Sequence, residues 1–185
     1  MLSISTIWSN PVLYDFFVKV IPAPLRHKAR KIKLLLLDVD GVLTDGGIYI
    51  DDRGVESKRF DVRDGQGITL LRRAGVEVGF VSGRSSGAVR QRARELGVKL
   101  VYQGVGEKAE TYERIKRRTG LKNENIAYVG DDIMDIPILR AVGLAITVPN
   151  GWPGVRPVVD YVTAAKGGRG AVREISELII STQDR

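Results

Sequence analysis

Short, largely apolar runs recur along this chain, each separated from the next by a helical pattern, and that alternation constrains the fold more than any other feature. The runs fall at 32–37, 76–81, 99–102, 126–129 and 144–148. Helical patterns lie between them at about 65–74, 86–96, 106–119 and 133–141, with a closing helix at 169–181. Strands that carry consecutive apolar residues, rather than alternating ones, must be buried on both faces. The pattern therefore predicts an α/β fold, a parallel Rossmann-like sheet with helices on both faces. One stretch breaks the rhythm. Residues 47–60 read as two strands around the turn Asp52-Arg53-Gly54, a β-hairpin inserted after the first strand and its acidic motif.

Residues 1–31 do not share this periodicity and read as an N-terminal extension to a domain spanning 32–185. Within the extension, residues 14–21 carry an amphipathic helical pattern ended by Pro22 and Pro24. It reads as a loosely attached extension, a segment docked on its own domain, or a membrane-surface or partner-binding helix.

Composition narrows the chemistry. A chain of 185 residues suits one compact domain. There is no cysteine, which removes disulfides, thiolate metal sites and a cysteine nucleophile. The single histidine, His27, lies in the basic extension, so neither a Ser-His-Asp triad nor a histidine metal site is expected. Catalysis must rest on carboxylates, hydroxyls, lysine and arginine. The net charge of +7 is concentrated N-terminally, where Lys19, Arg26, Lys28, Arg30 and Lys31 face only Asp15. The remainder is mildly basic, which suits an anionic small molecule rather than nucleic acid. The run Leu34-Leu35-Leu36-Leu37 is far too short for a transmembrane segment. The chain also lacks a secretory-type start, so a soluble, cytoplasmic protein is expected.

Ligands of open parallel sheets bind beyond the carboxyl ends of the strands. The first strand delivers Asp38-Val39-Asp40-Gly41-Val42-Leu43-Thr44 there, the second Ser82-Gly83-Arg84, and the fourth Gly130-Asp131-Asp132 with Asp135 following. Lys108 opens the helix after the third. The set is chemically coherent. Clustered carboxylates call for a cation, and hard oxygen donors beside a phosphate favour Mg²⁺. Lys108 and Ser82 suit phosphoryl oxygens. An ionised aspartate can attack phosphorus, and a second acid two residues on can protonate the leaving oxygen and then activate water. Asp132 and Asp135 read either as supports for the site or as helix N-terminal caps. Asp45, Asp51 and Asp52 read as loop and turn residues.

The order DxDGVLTD, strand-end Ser-Gly, Lys, GDDxxD over residues 33–135 resembles the haloacid dehalogenase superfamily phosphatases. The resemblance implies Asp38 as nucleophile and metal ligand, and Asp40 as acid–base that lends its backbone carbonyl to the metal. It implies Ser82 and Lys108 as phosphoryl holders and Asp131 as the third protein ligand. Only 41 positions separate Asp40 from Ser82, and 25 separate Ser82 from Lys108, so neither gap holds a cap domain. An uncapped site leaves the chemistry open to water, unless the substrate is a macromolecule or a neighbouring subunit closes it.

DVDGVLTDG, the hairpin, DVRDGQGI at 61–68, SGR at 82–84, YQG at 102–104, AYVGDDxxD at 127–135 and YVT…GGRGAVRE at 161–174 are similar to the 3-deoxy-D-manno-octulosonate 8-phosphate (KDO 8-phosphate) phosphatases. This closer resemblance covers about residues 32–180. It implies a capless homotetramer whose hairpins help complete neighbouring sites. The implied substrate is a phosphorylated eight-carbon sugar acid of lipopolysaccharide synthesis. By motif, Asp61, Val62, Arg63, Asp64 and Gly65 would line the substrate site, while Arg84, Arg92 and Lys108 supply positive charge. Arginine binds carboxylate and phosphate bidentately, as such a substrate asks, although Arg92 also reads as a solvated position between Arg90 and Arg94.

The chain departs from the pattern in three places. Asp61 stands where many members have Asn, Thr69 where some have Arg, and Ser82 where Thr is common. Related capless enzymes acting on nine-carbon sialic-acid-type 9-phosphates tend to have an acid where Arg84 stands. The residues also bear on two readings from other classes. A receiver-like signalling domain also combines acids, Mg²⁺, hydroxyl and Lys, but the DxD pair and late GDDxxD argue against it. A non-catalytic scaffold would keep the fold, yet every proposed chemical residue is present.

Overall fold

The computed structural model describes residues 21–183. A six-stranded, wholly parallel sheet runs in the order β5-β4-β1-β6-β7-β8. Its strands are β1 (Leu34–Leu37), β4 (Glu77–Val81), β5 (Leu100–Tyr102), β6 (Ile126–Val129), β7 (Leu144–Thr147) and β8 (Tyr161–Val162). The strand read at 76–81 and that at 126–129 are thus present, and β8 joins as an edge strand that the sequence pattern did not disclose. It is only two residues long, and one of them is exposed, so it carries no apolar run.

Alternation along β1 sorts its leucines between two cores. Leu35 and Leu37 face Leu25 and Ala29 of α1 (Ala23–Arg30), Ile68 and Leu71 of α2 (Val62–Arg73), Val89 and Ala93 of α3 (Gly87–Glu95), and Ile175 and Ile179 of α6 (Ala171–Thr182). Leu34 and Leu36 face Tyr112 and Ile115 of α4 (Lys108–Thr119) and Ile138 and Leu139 of α5 (Ile136–Ala141). Helices therefore cover both faces, as the continuous apolar strands require, and among the described residues no cap domain is inserted.

Local details differ from the sequence pattern for identifiable reasons. α2 begins at Val62, because Asp61 accepts the Arg63 N–H at 2.8 Å and caps it. The helix read at 133–141 divides into a 3₁₀ turn, Ile133–Asp135, and α5. Pro137 sits in the first turn of α5, where its missing N–H is harmless. The amphipathic pattern at 14–21 lies, apart from Ile21, outside the described residues. Pro22 and Pro24 open α1, whose Leu25 and Ala29 are core residues. The hairpin is short: β2 (Tyr49–Ile50) pairs with β3 (Glu56–Ser57), antiparallel and separate from the main sheet. Asp51 sets its turn by accepting from the N–H groups of Arg53 and Val55 at 3.0 and 2.7 Å.

Candidate active site

Asp38 follows β1 directly. Its backbone N–H still donates to Val129 of β6 at 2.9 Å, so the sheet itself fixes where the residue stands. Its carboxylate is buried, with Oδ1 accepting from the Val39 N–H at 2.7 Å and Oδ2 lying 2.9 Å from Lys108 Nζ. Lys108 is the first residue of α4, where the helix dipole disfavours a cation. Two carboxylates offset this: Asp38, and Asp135 Oδ1 at 2.6 Å. Burial works against the Lys108 charge, but Asp38 and Asp135 outweigh it and raise its pKa.

Asp135 is fully buried and both its oxygens are committed. Oδ1 accepts from Lys108 and from the Tyr128 hydroxyl; Oδ2 accepts from the N–H groups of Asp131 and Asp132, each at 3.0 Å. It is thus both a cap of the 3₁₀ turn, reciprocated by Asp132, and the anchor of the pocket floor. Gly130 is required beside it, since a Cβ there would stand 2.4 Å from the Asp135 side chain. The role of Tyr128 had no sequence signal, because in a buried strand a tyrosine reads as packing.

Asp38, Asp131 and Asp135 each offer a carboxylate oxygen, and these atoms lie within 4.8 Å of one another. Three carboxylates so close, two of them buried and Asp131 half-buried, repel. Burial, then Asp135, pushes the Asp38 carboxyl up to about 6 despite Lys108. Burial, then Asp38 and Asp135, pushes Asp131 up to about 7. Such a cluster fits a hard divalent cation, whose charge would balance it. Gly41 makes room for the donor set: its φ is +89°, and a Cβ there would lie 1.9 Å from Asp131 Oδ2. With both Asp135 oxygens engaged by several donors, the carboxylates of Asp38 and Asp131 are the ones in this cluster that could hold such an ion.

Asp40 stands at the mouth, its side chain a quarter exposed, in an ion pair with Lys58. Lys58 also pairs with Glu56 at 3.1 Å, and Glu56 with Arg84 at 2.5 Å. Arg84, foremost, holds the Glu56 carboxyl down at about 2. Ser82 is buried at the end of β4, and its Oγ accepts from the Arg84 N–H at 3.1 Å. Lys58 and Glu56 were not singled out in the sequence, although a strand places residues two apart on one side.

The second expected group stands apart from this cluster in its contacts. Asp61 is bound by its own Arg63, whose side chain lowers the carboxyl to about 2. Arg63 also donates to the Arg169 carbonyl at 2.8 Å. Asp64 is buried, which raises its pKa, and it caps α6 by accepting from the N–H groups of Gly170 and Arg173 at 3.2 and 2.9 Å. Val62 is exposed. Gly65 abuts Arg92, whose Nη2 would be 2.2 Å from any Cβ there. Arg92 pairs with Glu95, lies 5.9 Å from the Phe60 ring, and lines an open groove of about 370 Å³ with Phe60, Val62, Ala88 and Gln91. Asp45 and Asp51 accept from backbone N–H groups of their turns, as their loop positions suggested, and Asp132 takes the capping role, accepting from the Ile133 N–H.

A family profile described as haloacid dehalogenase-like hydrolase matches residues 60–143. The 3-deoxy-D-manno-octulosonate 8-phosphate phosphatase KdsC of Escherichia coli is 42% identical over 165 residues, covering 89% of this chain and 88% of that protein. The chain belongs to the KDO 8-phosphate phosphatase family. The Yersinia pestis KdsC is 39% identical over 96% of this chain and 95% of its own. A crystal structure of the Yersinia pestis phosphatase superposes with a TM-score of 0.87 at 40% identity, covering 89% of each chain. The Moraxella catarrhalis phosphatase, crystallised with magnesium ion, phosphate ion and KDO, gives a TM-score of 0.84 at 42% identity over 86% of this chain and 91% of that one. The family's fold and the uncapped strand ends seen here agree with each other.

Proposed function

We propose that this protein is a Mg²⁺-dependent phosphomonoester hydrolase that removes phosphate from KDO 8-phosphate in lipopolysaccharide precursor synthesis. The observation that carries the reading is the cluster of Asp38, Lys108, Asp131 and Asp135, all but Asp131 buried, at the carboxyl ends of β1 and β6. Its relatives at about 40% identity act, by their names, on that sugar-acid phosphate.

In this reading Asp38 attacks phosphorus. An Asp38 carboxylate–phosphorus bond forms as the ester P–O bond breaks, and the departing sugar oxygen takes the proton of Asp40. In the second step water attacks phosphorus and gives a proton to Asp40, restoring the Asp38 carboxylate and releasing inorganic phosphate. Lys108 and Ser82 hold phosphoryl oxygens throughout. Asp38, Asp131 and the Asp40 carbonyl would hold the Mg²⁺, which balances the charge of carboxylates and phosphoryl group. Arg84 and Arg92, with Asp61, Val62, Arg63, Asp64 and Gly65, are proposed to bind the sugar acid. The groove beside Arg92 and the exposed side of Arg84 support this, while the engagement of Asp61 and Asp64 in capping makes their contribution one of placing neighbouring backbone.

A homotetramer completes the proposal. Ile48, Tyr49, Ile50 and Val55 of the hairpin are all at least half exposed, and a two-stranded ribbon of this size is marginal without a partner. Among the described residues no helix is long and apolar enough to cross a membrane. A cytoplasmic location goes with a soluble anionic substrate. Phosphate release with Mg²⁺ across KDO 8-phosphate, nine-carbon 9-phosphates, other sugar phosphates and phosphopeptides tests the reading. Selective release from KDO 8-phosphate is expected, and preference for any other class would overturn it.

A further inference from the structure

The hairpin contributes a buried cation to its own subunit's active site. The Lys58 side chain is 1% exposed, although the backbone around it is on the surface. An ammonium so buried is tolerable only when paired, and its partners are Asp40 Oδ1 and Glu56 Oε1, the latter at 3.1 Å. Glu56 and Lys58 project to the same side because they are two residues apart at the end of β3. Glu56 in turn binds Arg84, whose N–H donates to Ser82. The line Asp40–Lys58–Glu56–Arg84 therefore ties the loop after β1 to the loop after β4 through the hairpin.

Asp40 differs from the other acids of the site in how it is held. Asp38 and Asp135 are fixed by burial and by several donors, whereas the Asp40 side chain is a quarter exposed. Its side chain is held by an ion pair with Lys58. A carboxyl at a solvent-facing mouth has rotamers to choose from, and its proton must reach the leaving oxygen along one line. Misplacement of a reacting group by about 1 Å can cost on the order of 100-fold in rate.

We propose that Lys58 is the positioning residue for Asp40: it grips one carboxyl oxygen and leaves the other aimed at the departing oxygen of the substrate. This rests on the phosphatase reading above. It makes the hairpin part of the catalytic arrangement within one subunit, separately from any contact its tip makes with a neighbour.

The test is Lys58→Met, with kcat/KM measured on two Mg²⁺-dependent reactions. One substrate is an alkyl phosphate such as KDO 8-phosphate, whose alkoxide needs a proton to leave. The other is p-nitrophenyl phosphate, whose phenolate leaves without one. Because kcat/KM reports steps up to release of the leaving group, hydrolysis of the phosphoenzyme does not enter it. A loss on the order of 10–100-fold is expected for the alkyl phosphate, against less than about 3-fold for the aryl phosphate. Equal losses would mean that Lys58 serves binding or folding alone, and no loss would mean that it does nothing for Asp40; either overturns the proposal. Should Lys58→Met lose its cooperative unfolding transition, Lys58→Gln, which keeps an amide donor near Asp40, is read by the same ratio. If the wild type released phosphate from neither substrate, the parent reading would fall. A wild type active on both, with equal losses in the variant, removes only the role of Lys58.

Discussion

In the pocket behind Asp38, the carboxylates of Asp38 and Asp135 are gripped by groups that belong to the core, whereas the hairpin segment at 49–58 is tied to the site through the ion pairs of Lys58 and Glu56. The pocket lies where β1 and β6 end, and the hydrogen bonds that continue the sheet into Asp38 make its position part of the fold. The hairpin has strands of two residues, and its apolar residues Ile48, Tyr49, Ile50 and Val55 are turned to solvent. The contrast teaches that the acidic pocket is preorganised by the same burial that stabilises the sheet, while the hairpin's order depends on charge pairs and on whatever covers its tip. Carboxylates held in a dry pocket lose water's screening, which strengthens both their repulsion and their hold on a cation.

The largest effect is expected at the pocket. Asp38→Asn keeps the shape and removes the nucleophile, so steady-state turnover should fall by about 10⁴-fold or more, with thermal unfolding at or above the wild-type temperature. Normal turnover would dissociate the pocket from the chemistry altogether.

Removing metal by chelation should lower turnover by about 10³-fold or more, since a bound cation supplies several kcal/mol of charge stabilisation. The pH dependence sharpens this. Asp38 and Asp131 have folded-state pKa values raised to about 6 and about 7, above the ordinary 3.8. Their contribution to stability is fully present below about pH 4 and is lost as pH rises through 6 to 7, where the native state must hold both charges. Saturating Mg²⁺ should therefore raise the unfolding temperature more at pH 8 than at pH 5. An equal shift at both pH values would show that the ion does not bind at these carboxylates.

Asp135→Ala strips Lys108 and Tyr128 of a buried partner and should destabilise the fold by about 3–5 kcal/mol, read by denaturant unfolding. Retention of wild-type stability would refute the claim that the pocket is held by its own ion pairs.

The smallest effect on the subunit is expected at the hairpin tip. Ile50→Asp should change subunit stability by no more than about 0.5 kcal/mol, yet shift sedimentation from tetramer to smaller species. A tetramer that persists would move the assembly interface elsewhere.

Much of this protein was legible in its sequence, because burial on both faces of a strand and the chemistry of a strand end are local properties. Apolar runs such as Leu34-Leu35-Leu36-Leu37 can settle only in a two-sided parallel sheet, and acids at the ends of β1 and β6 can then meet only at its carboxyl edge. What the tertiary structure alone decided were pairings between residues distant in the chain. Asp135 was ambiguous as a cap or a support and is both, since its two oxygens face different partners. Asp64 resembles a substrate residue by motif, yet its carboxylate caps α6, more than a hundred positions away. Lys58 carries no signal at all, because a lysine in an exposed hairpin is ordinary until the fold lays it over Asp40. Local periodicity specifies which side a residue faces; which charge it meets there depends on how the elements pack.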